Sequence, residues 1–404
     1  MKAIRSFLLG TLLSLLFLAI RTDGAQIAES KSNSSKSTPG LEAAKTLSVI
    51  TGVAISPLLG VSAVGAWEYF SADKERKQKL HWYAEPVFWI PALLLVAAVL
   101  LKDTAGTALP TALKKPFDVA EAVENKISGL VAAGAFVPFI VSVMPSKAGD
   151  AQALLSAGQF AMIDGSGLLN LLLTPFALAI FAIVWLVSHS IQVLIIISPF
   201  TTVDAALKTF RASVLSLVTA TAFINPYLGA FISVLIVIMA YMLAGWSFRL
   251  MTFGQVYLWD LFTFHSRRFV PRENGNRMFT STAIQGSPIR SYGRLVHEAN
   301  GSRRFEYRPW LVLPKKSFEL PKGELAVGRG LFMSEIVRIV DGETQPLFAL
   351  PPRYRGHEQE LARAYHLDEV RDLGLLKGIK AGWTWLKGLF GFRNPVRIAV
   401  PASA

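Results

Sequence analysis

The chain has no cysteine, so disulfides, thiolate metal sites and cysteine nucleophiles are all excluded. Charge is scarce too: Asp, Glu, Lys and Arg together make up 17% of 404 residues, against 52% hydrophobic. That balance is low in charge for a soluble protein and ordinary for a membrane protein. Catalytic signatures are missing. His357, Glu358, Gln359 and Glu360 lack the second histidine of a zinc-protease helix, and Gly328–Gly330 with the residues after it lacks the Gly-Lys-Ser/Thr of a phosphate loop. No nucleophile elbow occurs, and the six histidines are scattered. The expectation is a non-enzyme with no cofactor and no metal.

Two long stretches lack charge altogether. Between Asp164 and Asp204 the only titratable side chain is His189, and no Asp, Glu, Lys or Arg lies between Arg211 and Arg249. Runs this long and apolar read as membrane spans. Positive charge is unevenly placed. Residues 1–264 carry 18 Lys and Arg against 15 Asp and Glu, net +3, whereas residues 265–404 carry 23 against 13, net +10. Basic charge beside a span is first a topology signal that keeps a segment cytoplasmic, and second an attraction to anionic lipid. Nucleic-acid binding is not expected, because the basic residues are mixed with acids and no binding signature occurs.

In chain order, residues 1–25 read as a signal peptide or an uncleaved signal anchor: Lys2 and Arg5 precede a short apolar run. Residues 26–45 read as a disordered linker, Ser-rich over 29–40. Residues 46–264 form the expected transmembrane domain. Its five spans are 46–66, 86–101, 127–144, 168–187 and 213–246, the first, third and fifth broken at Pro57, Pro138 and Pro226. The fifth is too long for one straight crossing at 1.5 Å per residue, so it kinks or divides. The loop 67–85 holds Lys74, Arg76, Lys77 and Lys79 and is expected inside.

An internal repeat is suggested by AISPLLG at 54–60, GAFVPFI at 134–140 and AFINPYLG at 222–229. Pro91 and Pro175 recur at a similar offset, as do Pro116 with Phe117 and Pro199 with Phe200. A two-span unit would run the three broken helices in one direction and leave both basic regions inside. On these Pro-broken segments the region 46–247 resembles uncharacterised bacterial multi-pass inner-membrane proteins, a resemblance that implies no activity.

Broken helices expose carbonyls that line solute sites in transporters, but they also serve as packing kinks. Pro57, Pro138, Asn225, Pro226 and Tyr227 are therefore the substrate-site candidates. His189 joins them, three residues from Gln192 on one helix face. Asp164 is expected to cap a helix, and Asp204, Lys208 and Arg211 to form the polar face of an interfacial helix.

Residues 265–355 read as a cytoplasmic β-rich domain, with short strands at FTSTAI, RSYGRLVHE, RFEYR, WLVL, SFEL, ELAVG, EIVRIV and PLFAL. A hairpin is expected at Asn300 and Gly301. A small barrel or sandwich followed by a helix at 357–364 is similar in order to a pleckstrin-homology barrel, an architectural analogy only. Residues 356–404 form a helical tail. Within it, 375–392 reads as a basic amphipathic helix whose Lys380, Trp383, Trp385 and Lys387 would lie on a membrane surface.

The fold class expected is thus a polytopic helical bundle with a small soluble β domain, in the cytoplasmic membrane. The expected partners are the lipid bilayer, anionic lipid at the terminal helix, and further copies of the chain in a homo-oligomer. Two functions remain: transport or channel-like passage of a small or lipidic solute, and a membrane-anchored scaffold or regulator whose β domain binds lipid or protein.

Overall fold

The computed structural model describes residues 39–73, 77, 80–105, 127, 131, 165–198, 201–298, 301–320, 323–330, 333–340, 343–367 and 369–372. The signal segment, most of the linker, most of the third span with Pro138, Asp164 and the amphipathic tail helix lie outside the described residues. Among those described are seven α-helices and eight strands: α1 (Pro39–Ile55), α2 (Pro57–Ser71), α3 (Pro86–Ala105), α4 (Gly165–Ile197), α5 (Thr201–Ile224), α6 (Pro226–Phe262) and α7 (Glu358–Ala364), with β1 (Asn276–Thr280), β2 (Tyr292–His297), β3 (Arg303–Tyr307), β4 (Lys316–Glu319), β5 (Leu325–Arg329), β6 (Glu335–Val340), β7 (Glu343–Ala349) and β8 (Glu369–Asp372). They divide into two compact units. One comprises residues 1–188 with 205–243, the other 189–204 with 244–404.

Three stretches are long and apolar enough to cross a membrane: Pro175–Ile197, Thr202–Ile224 and Pro226–Phe262, the first and third with mean hydropathy 2.4. The apolar helix Pro86–Val99 is shorter than a span. In the first unit the core draws on all of these helices, with Val53, Leu58, Phe181, Val184, Val218 and Ala240 buried together. Hydroxyls along the helices bond back to their own turns. Ser48 donates to the Ala44 carbonyl at 3.1 Å, Ser62 to Leu58 at 2.6 Å and Thr221 to Leu217 at 2.7 Å. Such self-bonding keeps a hydroxyl satisfied where water is absent.

At Pro57 and Pro226 the chain does not kink gently but folds back, whereas Pro91 and Pro175 lie inside continuous helices. A β-carbon built on Gly60 would lie 2.7 Å from the Val53 Cα, and one on Gly229 would lie 2.4 Å from the Ala222 Cα. Residues seven apart in a continuous helix are separated by about 10 Å along its axis. Both close approaches require a sharp reversal, at Ser56 before Pro57 and at Asn225 before Pro226, and glycine lets the two backbones touch. The stretches 46–66 and 213–246 are therefore each two helices rather than one kinked span. The physical reason is positional. Proline is favoured at the first position of a helix, where its missing N–H costs nothing, and Ser or Asn before it is a helix cap.

In the second unit the strands form one sheet in the order β4-β3-β2-β1-β7-β6-β5-β8, antiparallel except for the parallel β5–β8 pair. No pairing joins β4 to β8 among the described residues, so the strand pairing does not close into a barrel. The β2–β3 hairpin turns as expected, with Gly301 at φ +80° donating its N–H to the Glu298 carbonyl at 2.9 Å. Seven of the expected strand regions contain strands; WLVL does not. Pro309 and Pro314 bracket it, and Trp310 and Leu311 take left-handed φ values of 54° and 61°, which no pleated strand accepts. The core beneath the sheet is aromatic: Phe305 meets Phe348 at 4.8 Å and Phe318 at 5.5 Å between ring centroids. Two fully buried tyrosines tie the segment around α7 to the first strands. Tyr354 Oη donates to the Arg277 carbonyl at 2.9 Å, and Tyr365 Oη donates to the Leu295 carbonyl at 2.8 Å. Burial raises the pKa of both hydroxyls and keeps them neutral.

Candidate functional site

The two reversals share one chemistry. Ser56 N–H donates to the Gly52 carbonyl and Gly60 N–H to the Ser56 carbonyl, at 3.2 and 2.8 Å. The equivalent bonds at the second turn, from Asn225 N–H to Thr221 and from Gly229 N–H to Asn225, are both 3.0 Å. At the second turn Asn225 Oδ1 also accepts the Tyr227 N–H at 2.8 Å, which makes Asn225 the cap of α6 and Pro226 its first residue. Tyr227 is 56% exposed and faces away from the helix packing.

At the first turn Pro57 is buried, and the carbonyl of Ile55 at the end of α1 accepts from Ser188 Oγ at 2.6 Å and from Arg211 Nε at 3.2 Å. Three helices thus meet at one polar point inside an apolar cluster. Neither partner is among the sequence candidates for a solute site; Ser188 sits next to one, His189, yet nothing in the sequence pairs Ser188 or Arg211 with residue 55. His189 is half-buried along α4, where it has an interaction partner, as have Asp204 and Lys208. Pro138, Lys380, Trp383, Trp385 and Lys387 lie outside the described residues. The structure brings Asn225, Pro226 and Tyr227 together by adjacency, with Pro57 at the other turn.

The densest polar chemistry is in the second unit, where the C-terminal half of α6 meets the sheet. Asp260 in the last turn of α6 has a fully buried side chain. Its Oδ2 accepts from Arg353 Nε at 2.6 Å and from the Arg353 backbone N–H at 3.3 Å, and its Oδ1 lies 2.9 Å from His265 Nδ1. Higher up the same helix, Arg249 Nε donates to the Ile289 carbonyl at 2.9 Å. Phe253 meets Phe279 edge-on at 5.1 Å, Phe248 lies 4.7 Å from Trp310, and the Arg290 guanidinium sits over Trp246 at 5.8 Å. The end of α4 joins this assembly through Ser190, whose Oγ donates to Ser247 Oγ at 3.1 Å.

Between α6 and the sheet lies a cavity of about 60 Å³, lined by Arg249, Arg290 and Arg308 with Tyr292, Tyr307 and Trp310 among others. No acidic residue lines it. It has room for a few oxygen atoms, whereas metabolite sites are typically about 300 Å³ or more. Sequence reading misses this cluster. Its one visible signal is the isolated Arg249 at the end of a charge-free run. Among the described residues no group of three or more His, Asp or Glu side chains could hold a metal ion. Compared with protein-family models, curated proteins and solved structures, the chain matches none.

Proposed function

We propose that this is a membrane-anchored scaffold or regulator, whose helices hold the β module at the face of the cytoplasmic membrane where it meets lipid or a protein partner. The observation that carries this reading is the locked end of α6. The helix runs 37 residues from Pro226 to Phe262 without a break, and buried Asp260 and half-buried Arg249 bind its C-terminal half to the module. Within the second unit the C-terminal half of α6 and the β module are thus packed directly on one another rather than joined by a linker. The net charge of +10 on residues 265–404 supports a cytoplasmic side; a count of five spans no longer does, since the fifth is divided. The matched hydrogen bonds and glycine approaches of the two reversals support descent from a duplicated unit, and the bacterial inner membrane is the setting that fits its basic tail and Pro-broken segments.

Transport of a small or lipidic solute is the second reading, favoured by the buried meeting of the Ile55 carbonyl, Ser188 and Arg211. The two readings part in a complementation test with the full chain. On the scaffold reading, breaking the lock with Asp260→Ala or Arg249→Gln abolishes rescue of a strain lacking the protein, while Ser188→Ala retains it. The reverse pattern would establish transport in its place.

A further inference from the structure

The loop at residues 308–316 reads Arg-Pro-Trp-Leu-Val-Leu-Pro-Lys-Lys. Its apolar tip is turned outward: Trp310, Leu311, Val312 and Leu313 are 42, 44, 78 and 46% exposed. Four consecutive large apolar side chains without cover form the kind of patch that marks a partner or a membrane. The backbone holds them there in an uncommon conformation, with left-handed φ at both Trp310 and Leu311. Side chains of this bulk rarely adopt it unless their surroundings impose it. The surroundings here are Pro309, Pro314 and the ring of Phe248.

The depth of the loop follows from α6. About 20 residues of helix cross a hydrocarbon core of about 30 Å, so a span beginning at Pro226 reaches its far boundary near Gly245. The next charged residue is Arg249. Trp310 lies against this level, beside Phe248 and close to where a Gly245 side chain would be. Exposed aromatics follow at Trp259, Phe262 and Phe264, and the loop lies beside the boundary residues Gly245 and Phe248 rather than at the far end of the helix. Behind the apolar tip are the arginine-lined cavity and, at its base, Lys316 and Lys315, the latter bonded to Glu306 at 2.8 Å. An apolar tip with cations behind it is the arrangement that enters an anionic bilayer: the tip reaches acyl chains while the cations meet phosphate.

We infer that residues 310–313 insert into the bilayer, and that the cavity lined by Arg249, Arg290 and Arg308 takes the headgroup phosphate of an anionic phospholipid. This rests on the reading that the β module is held at the membrane face. A soluble protein partner is the other occupant such a patch could have. The cavity's small volume, its three arginines with no acid among the lining, and the loop's place beside Phe248 and Gly245 favour lipid.

The absence of cysteine makes the test direct. Single cysteines are introduced at Val312→Cys, at Met242→Cys within the span and at the exposed position Arg363→Cys on α7, labelled with a fluorophore and placed in nanodiscs. The full chain is used, in phosphatidylcholine alone or with phosphatidylglycerol. Quenching by aqueous iodide and by acyl-chain nitroxide lipid is read for each. The expected result is iodide quenching at residue 312 roughly threefold or more below that at 363, with nitroxide quenching resembling residue 242. Protection at 312 increases with phosphatidylglycerol, and Arg308→Gln removes that increase. A residue 312 label as open to iodide as that at 363, while 242 stays shielded, overturns the insertion and leaves the membrane-anchored reading standing. That outcome returns the patch to a protein partner. Protection indifferent to lipid charge overturns the phosphate assignment. A 242 label open to iodide defeats both readings together.

Discussion

Arg353 Nε lies 2.6 Å from Oδ2 of Asp260, a carboxylate whose side chain is fully buried at the end of a helix that began 34 residues earlier at Pro226. The ion pair is local to one compact unit, but one of its members belongs to a candidate span. A second contact, from His265, holds the other carboxylate oxygen. The carboxylate is therefore bonded on both oxygens, which is what a buried charge requires.

Removing one partner of that pair leaves the other charge buried. Asp260→Ala is expected to destabilise the β module by about 3 kcal/mol. Denaturant unfolding of the full chain in detergent, followed through the tryptophans, checks the value. A double-mutant cycle with Arg353→Met is expected to show a coupling of about 1 kcal/mol or more. Independent, additive effects would mean that the pair contributes little beyond its packing.

His357 gives the module a pH dependence. Nε2 meets the Ser266 carbonyl at 2.8 Å and Nδ1 meets Glu360 at 2.9 Å, so the imidazolium, which donates from both nitrogens, fits best. The Ser266 carbonyl is the largest cause raising its pKa above the ordinary 6.5, helped by Glu360 and opposed by burial. The folded value lies above the unfolded one. Its stabilisation is then present in full below 6.5 and is lost as pH rises through the higher folded value. Unfolding midpoints measured from acid to alkaline pH are expected to fall across that window, and His357→Gln to flatten the fall.

The two reversals depend on glycine at the point of contact. Gly60→Val and Gly229→Val would each drive a side chain into the backbone of the opposing helix, where the built β-carbon already lies 2.7 and 2.4 Å away. Each is expected to cost about 1–3 kcal/mol or to splay the hairpin. Cross-linking of cysteines placed at Val53 with Leu59, or at Ala222 with Leu228, would report the loss. Wild-type cross-linking in the valine variants would show that the helices are not pressed together there.

Tyr365 is a polar hub in the module. Its hydroxyl accepts from the Asn276 N–H at 3.1 Å and from Asn276 Nδ2 at 2.9 Å, and it donates to Leu295. Tyr365→Phe keeps the ring and removes the partner of the Asn276 N–H, while Asn276 Nδ2 keeps the Arg272 carbonyl and Leu295 keeps the Gly275 N–H. The expected loss is about 1–3 kcal/mol, with faster amide exchange at Asn276. Asn225→Ala is a milder change: loss of the α6 cap is expected to cost about 1 kcal/mol, and Asn225→Asp to restore most of it. A far larger effect of Asn225→Ala on function than on stability would return that residue to the solute-site candidates.

Much of the architecture is legible in the sequence. The charge-free runs before and after Arg211 become long helices because an apolar run has no other way to satisfy its backbone in lipid. The β-rich tail, its hairpin at Gly301 and the helix after it are readable because alternation and turn residues act over a few neighbours. WLVL misleads for the same reason. Four apolar residues in a row look like a strand, and only its bracketing prolines and its place on α6 make it a loop.

The prolines divide the two kinds of information most clearly. That Pro57 and Pro226 are able to interrupt helices follows from the sequence, since proline lacks an N–H wherever it stands; Pro91 and Pro175 share that lack yet lie inside continuous helices, so which prolines break was not decided locally. Whether each break is a kink or a reversal was decided by the tertiary structure, because that depends on Gly60 finding Val53 and Gly229 finding Ala222 across the turn. Likewise, the sequence marks Arg249 and Asp260 as rare charges near a span. It could not say that Ile289 and Arg353 would meet them, because partners 40 and 93 residues away are chosen by how the chain folds back, not by any local preference.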